Sequence, residues 1–220
     1  MPATRKHFSE DLQDLYQELL KMGTLVEETI RKAISALKTQ NSALAAEVLD
    51  DDDAVNRFEK DIQDRCIILL ATEQPVASDL RTIVTAIKVA TQLERIGDHA
   101  VHVAKSAILL ADQRYLKPLV KIPQMGEICI AMIHEILSAL VENDADQARE
   151  IAMRDDEVDE LNDQISREMF DHMLEDPRSL NQGLELIFVS RFMERMGDHV
   201  TNIAELVVYN ATGNHVELNR

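Results

Sequence analysis

Glu94-Arg95-Ile96-Gly97-Asp98-His99 returns near the other end of the chain as Glu194-Arg195-Met196-Gly197-Asp198-His199, an offset of 100 residues. Upstream of the hexapeptides the two halves stay in register, now at an offset of 103. Met22-Gly23 lies on Met125-Gly126, Ala36-Leu37 on Ala139-Leu140 and Ala45 on Ala148. Asp52-Asp53 likewise lies on Asp155-Asp156, Val55 on Val158 and Ile62 on Ile165. A small deletion near Pro75 and Pro177 accounts for the change of offset. One register held over so long a stretch and ending in a near-identical hexapeptide is an internal duplication.

Each copy reads as three helices. Leu12, Leu15, Leu19, Val26, Ile30, Ala33 and Leu37 form a one-sided stripe at helical spacing. Asn41-Ser42 breaks the first copy after that stripe, and Asn143-Asp144 breaks the second. A second helix then runs through about Leu70, its copy through about Leu174, and Pro75 and Pro177 stop them. The third helices span roughly Val76 to Ala111 and Ser179 to Asn210. The expected fold is all-α, with six long helices in two tandem three-helix bundles. The units are residues 1–111 and 124–211, joined by a linker over 112–123 and followed by a tail over 212–220. One such unit leaves an apolar face open, which a second unit or a second chain would close.

Composition agrees. Six glycines, five prolines and no tryptophan are too few turn formers and aromatics for an all-β chain, and 45% hydrophobic residues suffice for a core. The net charge of −17 repels phosphate backbones and anionic lipid, so nucleic-acid binding and membrane-surface binding are excluded as principal roles. Cys66 and Cys129 do not occupy equivalent positions and read as reduced core residues. The start, Met1-Pro2-Ala3-Thr4-Arg5-Lys6, leads into no apolar stretch, and the run Cys66–Ala71 is too short to span a bilayer. A cytoplasmic protein without membrane insertion is expected.

The hexapeptide carries the chemistry. Residues four apart share a helix face, so Glu94, Asp98 and His102 form one stripe and Glu194, Asp198 and Asn202 its copy. Paired carboxylates repel each other by a few tenths of a kcal/mol, and an interior glycine costs about 1 kcal/mol relative to alanine. Neither helps a helix form; both make sense where a cation meets the carboxylates and a neighbour approaches the backbone. His99 and His199 point elsewhere and read as packing or hydrogen-bonding residues. On the second helices Asp52, Asn56 and Glu59 share a face, as do Asp155, Asp159 and Asn162. Facing the third-helix stripes, they would complete an oxygen-rich pocket in each unit, suited to divalent or trivalent ions such as Mg²⁺, Mn²⁺, Fe or Zn²⁺.

Catalysis is not indicated. A carboxylate-bridged di-iron enzyme needs Glu-x-x-His pairs, whereas here each histidine follows its glutamate by five residues. No nucleophile set, CxxC pair or glycine-rich phosphate loop is present. Two further alternatives stay open: a signalling bundle phosphorylated on His99 or His199, and a helical adaptor whose acids are only a solvated face.

On the segments Met22-Gly23, Asp52-x-x-Val55-Asn56, Ala77-Ser78-Asp79-Leu80-Arg81, Glu94-Arg95-Ile96-Gly97-Asp98 and their copies, the chain resembles the PhoU family over roughly Phe8 to Tyr209. The resemblance implies two three-helix bundles, a homodimer, and metal on the Glu-x-x-x-Asp motifs, carried here by Glu94, Asp98, Glu194 and Asp198. Asp52 and Asp155 match the family's second-helix acids more loosely. It further implies a regulator without catalysis, placed between an ABC-type phosphate transporter and a phosphate sensor histidine kinase. Such a regulator represses the starvation response when phosphate is plentiful. Ser179-Leu180-Asn181 departs from the Ser-Asp-Leu-Arg pattern, so Arg81 has no counterpart; it is assigned to partner binding in one unit only.

Overall fold

The computed structural model describes residues 3–218; Met1 and Pro2 at the start, and Asn219 and Arg220 at the end of the tail, lie outside it. Among the described residues there is no strand. Helix α1 runs Ala3–Thr39, α2 Ser42–Glu73 and α3 Ser78–Leu110. After the linker come α4 at Lys121–Glu142, α5 at Ala145–Ala152, α6 at Asp155–Glu175, a 3₁₀ turn at Pro177–Ser179, and α7 at Leu180–Thr212. The expected linker is shorter at its far end, because Pro123 falls in the first turn of α4. There its missing N–H costs nothing.

The same local chemistry shapes both copies. Gln40 and Asn143 turn left-handed to end α1 and α4, with φ of 54° and 56°. The residue after each turn caps the next helix: Asn41 accepts from the amides of Ala43 and Leu44, and Asp144 from those of Asp146 and Gln147. The copies differ at one point. The second helix of the second unit is broken at Met153-Arg154, which sets the short α5 ahead of α6 and leaves the six long helices expected among the described residues. There the hydrogen bonding tightens to Arg154 N→Ile151 O (3.0 Å) and Glu157 N→Arg154 O (3.1 Å). Asp155, Asp156 and Glu157 thereby occupy a new helix N-terminus, where the helix dipole favours them.

The two units close each other's open faces. Helix α1 lies on α4 and α3 on α7, and one hydrophobic core runs through both units. The α1–α4 crossing explains the duplicated Met-Gly. A Cβ on Gly23 would lie 2.1 Å from Leu137 Cδ1, and one on Gly126 would lie 1.9 Å from Ile34 Cδ1. Residues 34 and 137 are themselves equivalent, so each glycine receives the other unit's side chain. Another bridge is kept with its charges exchanged: Lys32 Nζ binds Asp51 Oδ2 at 2.7 Å, and at the equivalent positions Arg154 Nη1 binds Glu135 Oε1 at 2.7 Å.

Helix α4 is long and apolar enough to cross a membrane by length and composition alone, and its run Ile128–Ile133 equals Cys66–Ala71 in length. Its apolar side chains serve the core instead: Met125, Cys129, Met132, Ile133 and Ile136 are fully buried.

Candidate functional site

In the first unit, Gly97 lets α2 approach α3: a Cβ there would meet Val55 Cγ1 at 3.3 Å. Asp52 on α2 and Glu94 and Asp98 on α3 line the seam. Asn56 Nδ2 donates to Asp52 Oδ2 at 3.0 Å, while Asp52 Oδ1 is buried without a hydrogen bond. Glu94 Oε2 is likewise buried without one, although Arg95 Nε lies 3.5 Å away and Arg95 Nη1 reaches Asp98 at 3.3 Å. Burial, then the Asp98 charge, pushes both Asp52 and Glu94 above the usual carboxylate range. Glu59 adds a further negative charge near Glu94 and accepts from Thr91 Oγ1 at 3.0 Å.

In the second unit the seam is tighter. Asp155, the first residue of α6, is 6% exposed, and a Cβ on Gly197 would lie 2.1 Å from its Oδ1. Thr201 Oγ1 donates to Asp155 Oδ2 at 3.2 Å, and Oδ1 has no hydrogen bond. Burial, followed by the charges of Asp159 and Asp198, raises Asp155 to about 7. Asp159 and Glu194 are also raised, chiefly by burial, and Glu194 Oε2 is another orphaned oxygen beside Arg191. Asn162 is drawn out of the acid set, accepting from Ser190 Oγ at 2.8 Å.

Each unit therefore gathers four carboxylates at the seam of its second and third helices: Asp52, Glu59, Glu94 and Asp98 in one, Asp155, Asp159, Glu194 and Asp198 in the other. The donors are hard oxygens, and each site holds two buried carboxylate oxygens without a hydrogen-bonding partner, which a cation would satisfy. That chemistry fits a metal ion. As they stand, no three His, Cys, Asp or Glu side chains among the described residues enclose an ion, so binding would draw the carboxylates together.

His102 and Asn202 go elsewhere. His102 stacks on Phe192 of α7 with ring centroids 4.7 Å apart, and Asn202 Nδ2 donates to Gln92 Oε1 at 3.3 Å. Both thus serve the α3–α7 seam between the units. His99 and His199 meet in the same seam at 5.4 Å, and His199 Nδ1 lies 2.7 Å from Gln92 Oε1. Burial, and then the neighbouring His199 and Arg195, lowers His99 to about 4. Phe192 and Gln92 were not singled out in the sequence. Their signal was there: they are equivalent positions that differ, matched by the differing pair His102 and Asn202 across the seam.

Arg81 is placed on the end of α7, its guanidinium 3.6 Å from where a Gly213 Cβ would sit, at the left-handed cap of that helix. A cation there favours a helix C-terminus, a structural use that only one unit makes. Both cysteines are buried, with thiols raised to about 12, and have no reactive character.

The profile of the PhoU domain matches residues 19–107 and again 122–207, one match per copy of the motif. The chain belongs to the PhoU family. The phosphate-specific transport system accessory protein PhoU homolog of Clostridium acetobutylicum is 40% identical over 217 residues, covering 98% of this chain and 99% of that protein. The crystal structure of PhoU from Pseudomonas aeruginosa superposes with a TM-score of 0.89 at 40% identity, covering 94% of this chain and all of the other. The phosphate transport system regulatory protein PhoU of Streptococcus pneumoniae gives the same TM-score at 31% identity, over 96% and 99% of the two chains. The all-α PhoU architecture is therefore common to chains that differ at most positions.

Proposed function

We propose that this chain is the regulatory accessory protein of a phosphate-specific transport system. In this reading it acts without catalysis, between an ABC-type phosphate transporter and a sensor histidine kinase, and holds the starvation response off when phosphate is plentiful. The observation that carries it is full-length likeness at 40% identity to a protein named for that system. The doubled acid seam supplies the physical part. Metal ions bound by Glu94, Asp98 and Asp52, and by Glu194, Asp198, Asp155 and Asp159, would neutralise charges that burial disfavours. They would also fix the outer helices α2 and α6 against α3 and α7 as a docking surface. The working form is a cytoplasmic homodimer.

Elemental analysis of the purified protein and of Glu94→Ala/Asp98→Ala/Glu194→Ala/Asp198→Ala tests the metal reading. Bound metal is expected in the first and absent from the second; unchanged stoichiometry would remove these residues as ligands. Deleting the gene should switch on a phosphate-starvation reporter in phosphate-rich medium, and a silent reporter would end the regulatory reading.

A further inference from the structure

The hairpin end of the second unit exposes large apolar side chains that the fold does not require. Phe170 and Leu174 on α6 and Leu180, Leu184 and Phe188 on α7 are between 39% and 83% exposed. Spacing by four places each set on one helix face, and the helices touch at this level, Gly183 lying against Met173. Together these side chains expose on the order of 500 Å² of apolar surface, at the upper end of what a monomer shows. The first unit's hairpin end also exposes apolar groups, Ile67, Ile68, Val76 and Leu80, but it has Ala71 and Lys88 where Leu174 and Phe188 stand. Packing therefore does not dictate the larger residues.

The patch grades into acid along the same seam. Asp159, Asp163, Phe170 and Leu174 recur at spacings of four, seven and four, a single stripe whose far end is carboxylate, with Arg167 on the same face paired to Asp163 at 3.5 Å. On α7 the face of Leu184 continues through Arg191 to Asp198, with Arg191 already paired to Glu194 at 3.0 Å. From Leu174 to Asp159 is 15 residues, roughly 22 Å of helix, about the length of a four-turn helix laid alongside.

We propose that the α6–α7 seam of the second unit docks an amphipathic helix from a partner protein, apolar residues on Phe170, Leu174, Leu184 and Phe188 and basic residues over Asp159 and Asp163. Charge complementarity selects this occupant: a second copy of a chain with net charge −17 would bring more carboxylate to an acidic seam, and anionic lipid would do the same. The inference deepens the regulatory reading by giving the surface through which a partner is held. Asp159 also stands in the proposed metal set, so the docking is a property of the metal-free seam, which added metal would weaken.

Fluorescence anisotropy with a labelled, synthetic amphipathic Leu/Lys peptide tests it, in physiological salt, with and without added Mn²⁺. Phe170→Ser/Leu174→Ser/Phe188→Ser should weaken binding by about tenfold or more, and the Leu/Glu peptide of identical apolar pattern should bind no better than that variant. The second variant Leu180→Ser/Leu184→Ser should also lose binding, while Ile67→Ser/Leu80→Ser in the first unit should retain it. Equal binding by the patch variants, or by the Leu/Glu peptide, would overturn the proposal. So would light scattering in which the patch substitutions turn a dimer into a monomer, or wild-type binding to phosphatidylglycerol vesicles that the substitutions abolish. A silent reporter with peptide binding intact would sink the regulatory reading and leave the docking surface standing.

Discussion

The two acid seams began as copies and now differ in one respect that matters. In the first, α2 passes the site as an unbroken helix, Gly97 packs on Val55, and Asp52 stays partly exposed with Asn56 as a hydrogen-bonding neighbour. In the second, the helix breaks just before the site, and Asp155 is pressed onto Gly197 with one oxygen unsatisfied. The amide and acid have also changed places, Asn56 and Glu59 standing opposite Asp159 and Asn162. A motif kept nearly letter for letter thus sits in two different electrostatic environments, because burial of its α2 or α6 partner sets the cost of charge.

The largest expected effect comes from that contrast. Between the ordinary carboxylate range and about pH 7 the folded protein holds a proton on Asp155 that the unfolded chain releases. Metal-free stability should therefore fall as pH rises through this window and level off above it. Asp155→Asn should flatten the profile and stabilise the metal-free protein at pH 8 by about 2–4 kcal/mol in urea unfolding. Asp52→Asn should act in the same direction but less, since Asp52 keeps contact with water. Equal effects, or a wild-type profile flat from pH 4 to 8, would break the comparison.

Glycine substitutions sharpen it. Gly197→Ala must drive the Asp155 carboxylate off Thr201 and should cost about 2 kcal/mol, outweighing the gain in helix propensity. Gly97→Ala asks Val55 to yield only a few tenths of an ångström and should stay within about 1 kcal/mol of wild type. Thermal unfolding of both variants decides whether the seams are as unequal as their contacts. The smallest effect belongs to the α3–α7 seam: a double-mutant cycle on His102 and Phe192 should give a coupling of about 1 kcal/mol, and one on Gln92 and Asn202 about half that. Were His102 held by the acids instead of by Phe192, the first coupling would vanish.

Much of the molecule was legible in advance. The apolar stripe of α1, the Asn41 and Asp144 caps and the stops near Pro75 and Pro177 are local signals, and local signals act through backbone geometry within a few residues. The repeated register supplied the duplication, and the doubled Glu-x-x-x-Asp marked the acids that share a face. Legibility failed where a residue's role depends on what lies across a seam. Met153 and Arg154 are good helix formers, and nothing in their neighbourhood announces a break. His102 and Asn202 continue the acid stripe by spacing, yet face the other unit.

The chain's own order of residues therefore determined the helices, their doubling and the concentration of carboxylates on the third helix of each copy, since periodicity and capping are properties of a single strand of sequence. Only tertiary structure decided that Gly23 and Gly126 interlock the units, that Asp155 is almost fully buried while Asp52 stays partly exposed, and that Arg81 lies against the end of α7. Those outcomes rest on contacts between residues far apart in the chain, where a shift in helix packing of an ångström or two changes which oxygen meets water.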